Sequence, residues 1–226
     1  MKTVLLTLGV VLSLAVPCFA QIKSEPVKIK KESSQGIFVA RFPKFAGDTV
    51  EEKAVSGRIN RTLKGVVDEL YEQMKENWHE PEDKAVQGYV SKDIDYELTY
   101  EDEKILSINF TDTFAQGDNQ SLFIKDGMTF SKKTGKPLSW KKLVRSEDKA
   151  ILNKNHLNKI LLAGSHEGDY FLYMSFTGLE EMPDNYYVDN TGSMHFQVNP
   201  GKIGPFNGGV VDIDSGCVVA DNIEEK

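Results

Sequence analysis

Cysteine is nearly missing from this chain. Its 226 residues include two, and Cys18 falls inside an N-terminal stretch that reads as a leader. Cys217 is then left alone, which excludes a disulfide within the chain and a thiolate cage for a metal. Histidine is sparse as well: the four are His79, His156, His166 and His195. None stands in a His-x-x-x-His or Cys-x-x-Cys arrangement, so a zinc site lacks its local signature and no metal or cofactor is expected. Long apolar runs are absent after Val16, so no transmembrane helix is expected. Basic residues are outnumbered, 27 against 34, for a net charge of −7. That balance argues against nucleic acid or an anionic membrane as partner; it suits a basic one better, and is equally the charge that keeps an ordinary protein in solution.

The leader is legible from three features. Met1-Lys2 is a short basic start, Val4 to Val16 is apolar apart from Thr7, Gly9 and Ser13, and Cys18-Phe19-Ala20 places small residues before a cut ahead of Gln21. This pattern reads as a secretory signal peptide over residues 1–20, and the expected location is the periplasm or the exterior. A lipid-modified Cys18 is disfavoured, because Ala15 and Pro17 stand where such a site wants Leu and a small residue. Cleavage would leave about 206 residues with 26 basic and 34 acidic side chains, a net charge of −8. A chain of that length can bury roughly 70% of its unfolded surface without covalent staples.

Periodicity predicts an α+β domain over 21–226, either single or of two intimate lobes, about 36–115 and 116–220. Gly36 to Pro43 alternates as a strand with Phe38, Ala40 and Phe42 on one face, and Pro43 is expected to stop it or confine it to an edge. Thr49 and Glu52 form a capping-box pair ahead of a long helix. Its apolar stripe of Val55, Ile59, Leu63, Val66, Val67, Leu70 and Met74 is expected to be core, and its end is expected near Trp78. Gly57 and Gly65 would let a sheet approach. Residues 90–100, with Ile94, Tyr96, Leu98 and Tyr100 on one face, pair with 105–114 as a hairpin that is polar outside. A second hairpin is expected over 120–131, turning at Asp126-Gly127. Ser146 is placed as the cap of a shorter helix ending at Gly164. Tyr170 to Leu179 is left open between a short helix and a buried connection. Tyr186 to Ile213 reads as strand, turn, strand, Gly/Pro loop and strand, and residues 217–220 as a last short strand.

Catalytic motifs fail on inspection. Gly164-Ser165-His166 lacks the Gly two residues before the serine and the strand that a nucleophile elbow needs. Lys133-Thr134-Gly135 has no Ser-x-x-Lys companion and reads as a turn. Asp212-x-Asp214-x-Gly216 starts like a calcium loop but has Gly and Ile where ligands should follow, so a strand end with exposed acids is the better account. Glycines 201, 204, 208 and 209 miss the dinucleotide spacing. His156 lies on an apolar stripe as a hydrogen-bonded core residue. No catalytic residue is assigned.

Three segments together resemble one family. Ala40 to Leu70 resembles its strand, Pro-x-Phe-x-Gly turn and helix with Ile-Asn. Leu106 to Phe110 (LSINF) and Thr134 to Val144 (TGKPLSWKKLV) resemble its central hairpins. Tyr186 to Ile213 resembles its signature through Gly192, Asn199, Ile203-Gly204-Pro205-Phe206, Gly208 and Val211-Asp212-Ile213. This is the RsiV-like extracytoplasmic domain of lysozyme-sensing anti-sigma factors, found also in some secreted peptidoglycan deacetylases and in proteins of unknown function. The resemblance implies a mainly antiparallel sheet packed on one long helix and one or two shorter ones. It implies a non-catalytic binding role in the cell envelope, with lysozyme or cell-wall glycan as partner. The chain departs from the signature at Gly201, where Tyr is usual, and at Phe206-Asn207-Gly208-Gly209. His195, Asn199, Phe206 and Asn207 are the candidate ligand-binding residues. The rival reading is a cell-wall hydrolase with a dispersed site around His195 and His166.

Overall fold

The computed structural model describes residues 22–76, 89–117 and 121–223. The leader and the expected helix end near Trp78 lie outside the described residues. Five strands, β1 (Lys23–Glu32), β2 (Gly36–Ala46), β3 (Val90–Glu101), β4 (Ile105–Gln116) and β5 (Leu122–Ser131), form one sheet in that order. Neighbours are antiparallel except β2 and β3, which run parallel from Gly36↔Val90 to Ala40↔Ile94. Parallel neighbours need a crossover, and helix α1 (Val50–Glu76) supplies it. Strands β6 (Tyr186–Val188), β7 (Ser193–Val198) and β8 (Val211–Val218) make a second, antiparallel sheet. Helices α2 (Trp140–Leu143) and α3 (Lys154–Glu167) accompany it. The architecture is α+β, mainly antiparallel, as the patterning predicts.

The capping box is present. Thr49 Oγ1 accepts from Glu52 N–H at 3.1 Å, and Glu52 Oε2 accepts from Thr49 N–H at 2.9 Å. Helix α1 then buries Val55, Ile59, Leu63, Val67 and Met74 against Phe38, Ala40 and Ile94. Val66 and Leu70 on the same stripe are only half-buried. Gly57 and Gly65 face solvent with nothing within 4 Å of a would-be Cβ, so they bring no sheet closer. Pro43 does not stop β2, which runs on to Ala46. It stands opposite Pro26 in the β1 register, and its other side faces no strand because the β3 pairing ends at Ala40. No ladder donor is therefore missed. Two residues on, Asn60 of α1 takes the place of a strand: its Oδ1 accepts from Phe45 N–H and its Nδ2 donates to Phe45 O, both at 2.8 Å.

The expected hairpin at Asp126-Gly127 does not form. β5 continues through both residues, pairing with β4 from Leu122 to Ser131. Gly127 is needed for a close approach instead, since a Cβ there would sit 2.0 Å from Tyr186 O. A register shift between Leu98 and Tyr100 turns Tyr100 away from Tyr96 and Leu98 and into the second core cluster. The outer face of the β3–β4 hairpin is not simply polar, because Ile105 joins that second cluster and Ser107 Oγ accepts from Val188 N–H at 3.0 Å.

Ser146 does not cap α3. Asp148 is buried and held by Arg145 Nε at 2.8 Å, which makes a separate turn. The cap is Asn153, whose Oδ1 accepts from Asn155 N–H and His156 N–H. Gly164 does not end the helix either: the Tyr170 ring lies 2.5 Å from where its Cβ would be, so it is a packing glycine. Gly168, at φ 89°, closes the helix in the left-handed region. His156 is hydrogen-bonded as expected, with Nε2 2.8 Å from Ser215 O. Residues 170–179 contain no helix. β8 is one strand through Cys217, which is buried and free. Its core partners are Leu157, Leu161, Phe196 and Ile213.

Candidate functional site

The inward face of the large sheet carries a break in its own pattern. Along β4 it reads Leu106, Ile108, Phe110 and then Asp112; along β3 it reads Leu98, Tyr96, Ile94 and then Lys92. A charge on a core-facing position needs a partner. Lys92 Nζ and Asp112 Oδ2 provide it at 2.7 Å, with the two side chains 10% and 9% exposed. Asp112 Oδ1 is buried and has no hydrogen-bond partner. On β5 the same face reads Phe130, Met128 and then Asp126, which stands directly across from Phe110.

Helix α1 and this end of the sheet face each other across a gap. A groove of about 520 Å³ opens there. Its apolar walls are Val66 and Leu70 of α1 with Ile94, Phe110 and Met128 of the sheet. Its acids are Glu69, Asp112, Asp126 and Asp184. Burial raises the Asp112 carboxyl above the usual carboxylate range, opposed by Lys92. The Asp126 side chain is exposed at the groove's mouth, yet crowding by neighbouring atoms raises its carboxyl too, and the nearby Asp112 charge adds to this. A second hollow of about 360 Å³ shares Asp126, Asp184 and Asn185 with the groove and adds Glu180, Glu181 and Lys202. Gln197 lines this hollow, is 2% exposed, and its Oε1 also lacks a partner.

Two amides join the groove to the small sheet. Asn185 Oδ1 accepts from Gly127 N–H at 2.8 Å while its Nδ2 donates to Lys125 O at 2.6 Å. Asn199 Oδ1 accepts from Lys125 N–H at 2.9 Å. Both therefore bond the outer edge of β5, a terminal strand of its sheet.

The residues singled out in the sequence fall into three settings. Asn199 is engaged at the β5 edge. Phe206 and Asn207 are exposed on a single 3-10 turn, Phe206–Gly208, beside Phe114 and Leu122. His195 sits on β7 between two carboxylates. Its Nδ1–H donates to Asp212 Oδ1 at 2.8 Å, and its buried Nε2 lies 3.4 Å from Asp189 Oδ2 without a hydrogen bond. The Tyr187 ring stacks on it at 4.9 Å. The hydrogen bond to Asp212 raises the His195 pKa against the effect of burial. Asp212 also accepts from Tyr187 Oη at 3.0 Å and Gln197 Nε2 at 3.2 Å. Burial disfavours its charge, yet the His195 and Gln197 bonds hold it below the usual range. Asp212 is thus the hub of a polar cluster, not an exposed acid at a strand end. The groove acids were missed in the sequence, although Asp112 and Lys92 each interrupt an apolar alternation that was plain to read.

These features define an α+β domain whose two sheets meet beside a carboxylate-lined groove. Among the described residues no group of three or more His, Cys, Asp or Glu is placed to hold a metal ion, and no helix is long and apolar enough to cross a membrane. Among solved structures the chain is similar to a DUF3298-family protein of Bacteroides fragilis NCTC 9343, at 14% identity and a TM-score of 0.56, covering 90% of this chain and 94% of that one. It is similar also to a DUF3298-family protein of Pseudomonas aeruginosa PAO1, at 10% identity and a TM-score of 0.57, covering 92% and 98%. What is shared at such identities is the fold, that of a domain of unknown function, and it is compatible with the RsiV-like resemblance. No family model matches the chain, and no curated protein matches it.

Proposed function

We propose that this chain is an exported, non-catalytic binding domain of the bacterial cell envelope, and that its partner is basic. The observation that carries this reading is the groove between α1 and the sheet, whose walls are apolar and whose charged groups are four carboxylates with a single buried lysine pair. A basic protein surface is complementary to such a site. Lysozyme, through the RsiV-like resemblance, is the leading partner, and another cell-wall-related protein or the wall glycan comes next. Export rests on the leader sequence. The hydrolase alternative is weakened by His195. A general base needs a ring nitrogen within reach of substrate, and here Nδ1 is bonded to Asp212 while Nε2 is buried beside Asp189.

Calorimetric titration of the cleaved protein with lysozyme tests the reading. Binding heat is expected at low ionic strength, shrinking as salt screens the charges. No heat at low salt overturns the lysozyme assignment.

A further inference from the structure

Every orphaned acceptor around the groove asks for the same thing. Asp112 Oδ1 is buried without a donor while its twin oxygen holds Lys92. Gln197 Oε1 in the adjoining hollow is also buried without a donor. Leaving such atoms unmade is costly. A ligand that completes them must bring hydrogen-bond donors, and the carboxylates Glu69, Asp126 and Asp184 favour donors that carry positive charge. The walls of Val66, Leu70, Ile94, Phe110 and Met128 suit an aliphatic stem.

Resting on the binding role above, we propose that this groove seats a primary alkylammonium group on an aliphatic stem, the end of a lysyl side chain or of a free diamine. The ammonium stands between Asp126 and the free oxygen of Asp112. The stem lies along Leu70 and Met128. Lys92 does not compete for the site, because its own ammonium is already bonded to Asp112 Oδ2. A compact, three-donor head on a four-carbon stem matches an apolar trough with acids at its end better than a phosphate or a carboxylate would. This also says where a basic partner would make its deepest contact.

The test is a backbone amide NMR titration of the full mature chain with three probes. These are cadaverine, lysine blocked at both backbone ends, and 1,5-pentanediol as the uncharged stem. Saturable shifts at Asp112, Asp126, Gly127 and Met128 are expected with both amines and not with the diol. The free and lysyl sources are distinguished by which amine saturates at the lower concentration. Asp126→Asn leaves the Lys92–Asp112 pair intact, and should weaken amine binding about tenfold. Leu70→Trp, which fills the trough, should abolish it while the fold's spectrum is retained. No shift at these amides up to about 10 mM amine, an affinity floor near −3 kcal/mol, overturns the proposal. So does an equal response to the diol, or an unchanged affinity in Asp126→Asn. If lysozyme binds but the amines do not, the groove assignment fails and the binding role stands. If the amines bind but lysozyme does not, the groove assignment stands and the lysozyme assignment fails.

Discussion

Asp212 accepts hydrogen bonds from three side chains that reach it from two neighbouring strands, Tyr187 on β6 and His195 and Gln197 on β7. An asparagine there could keep one acceptor but not the charge that holds His195. Asp212→Asn is expected to cost about 2 kcal/mol in urea unfolding. The pair also sets a pH window. The folded His195 pKa lies above its ordinary 6.5, so its contribution is complete below that value and is lost as pH rises through the folded one. The folded Asp212 pKa lies below its ordinary 3.8, so its contribution is complete above that value and is lost as pH falls through the folded one. Between about pH 4 and 6.5 both are present. Thermal melts of His195→Gln should therefore fall furthest below the parent in that window and converge with it toward alkaline pH. A gap that widens with pH would contradict the geometry. At the same scale, Gly127→Ala forces a methyl group against the Tyr186 carbonyl. It should destabilise by about 1–3 kcal/mol.

Helix α1 has an outward face that its packing does not explain. Gly57 and Gly65 are exposed, and a methyl group at either would touch nothing. Alanine at each should raise the urea midpoint, adding about 0.5–1 kcal/mol per site. These glycines also show where sequence reading succeeds and fails. The capping box, the stripe and the β6–β7–β8 run were legible because their signals are local: Thr49 with Glu52, spacings of three and four, and Asp189 before Gly192. The Asp126-Gly127 turn fails to form for a reason outside the strand. A glycine required by the passing Tyr186 backbone looks, in sequence, like a glycine required by a hairpin. Ser146 failed similarly, since Arg145 takes Asp148 and the cap falls to Asn153. Of the candidate site, the buried ion pair shows in the sequence as faults in alternation at Lys92 and Asp112. Their convergence with Asp184, from a distant loop, does not.

Across the whole molecule, two apolar clusters are organised about two sheets. The first draws on residues from Ile22 to Phe130, and the second on Ile105 and on Leu138 to Cys217. The first sheet extends through β5. Charge acts at this scale too. A chain with 34 acidic and 27 basic residues should capture a basic protein quickly at low salt. If lysozyme is the partner, as proposed above, its association rate, followed by stopped-flow fluorescence, should fall about tenfold as salt shortens the Debye length from about 10 Å to 3 Å. An association rate indifferent to salt would remove electrostatics from the encounter.

The amides of Asn185 and Asn199 have a consequence for how copies of this protein coexist. The rim of β5 would otherwise offer free backbone donors and acceptors at Lys125 and Gly127, a template on which a neighbour could add a strand. Two side chains from the far sheet occupy those groups before a stranger can. This edge is thereby closed to strand addition by a pair of asparagines. The double variant Asn185→Ala, Asn199→Ala should keep its circular dichroism yet form dimers and larger species by light scattering, where the parent stays monodisperse.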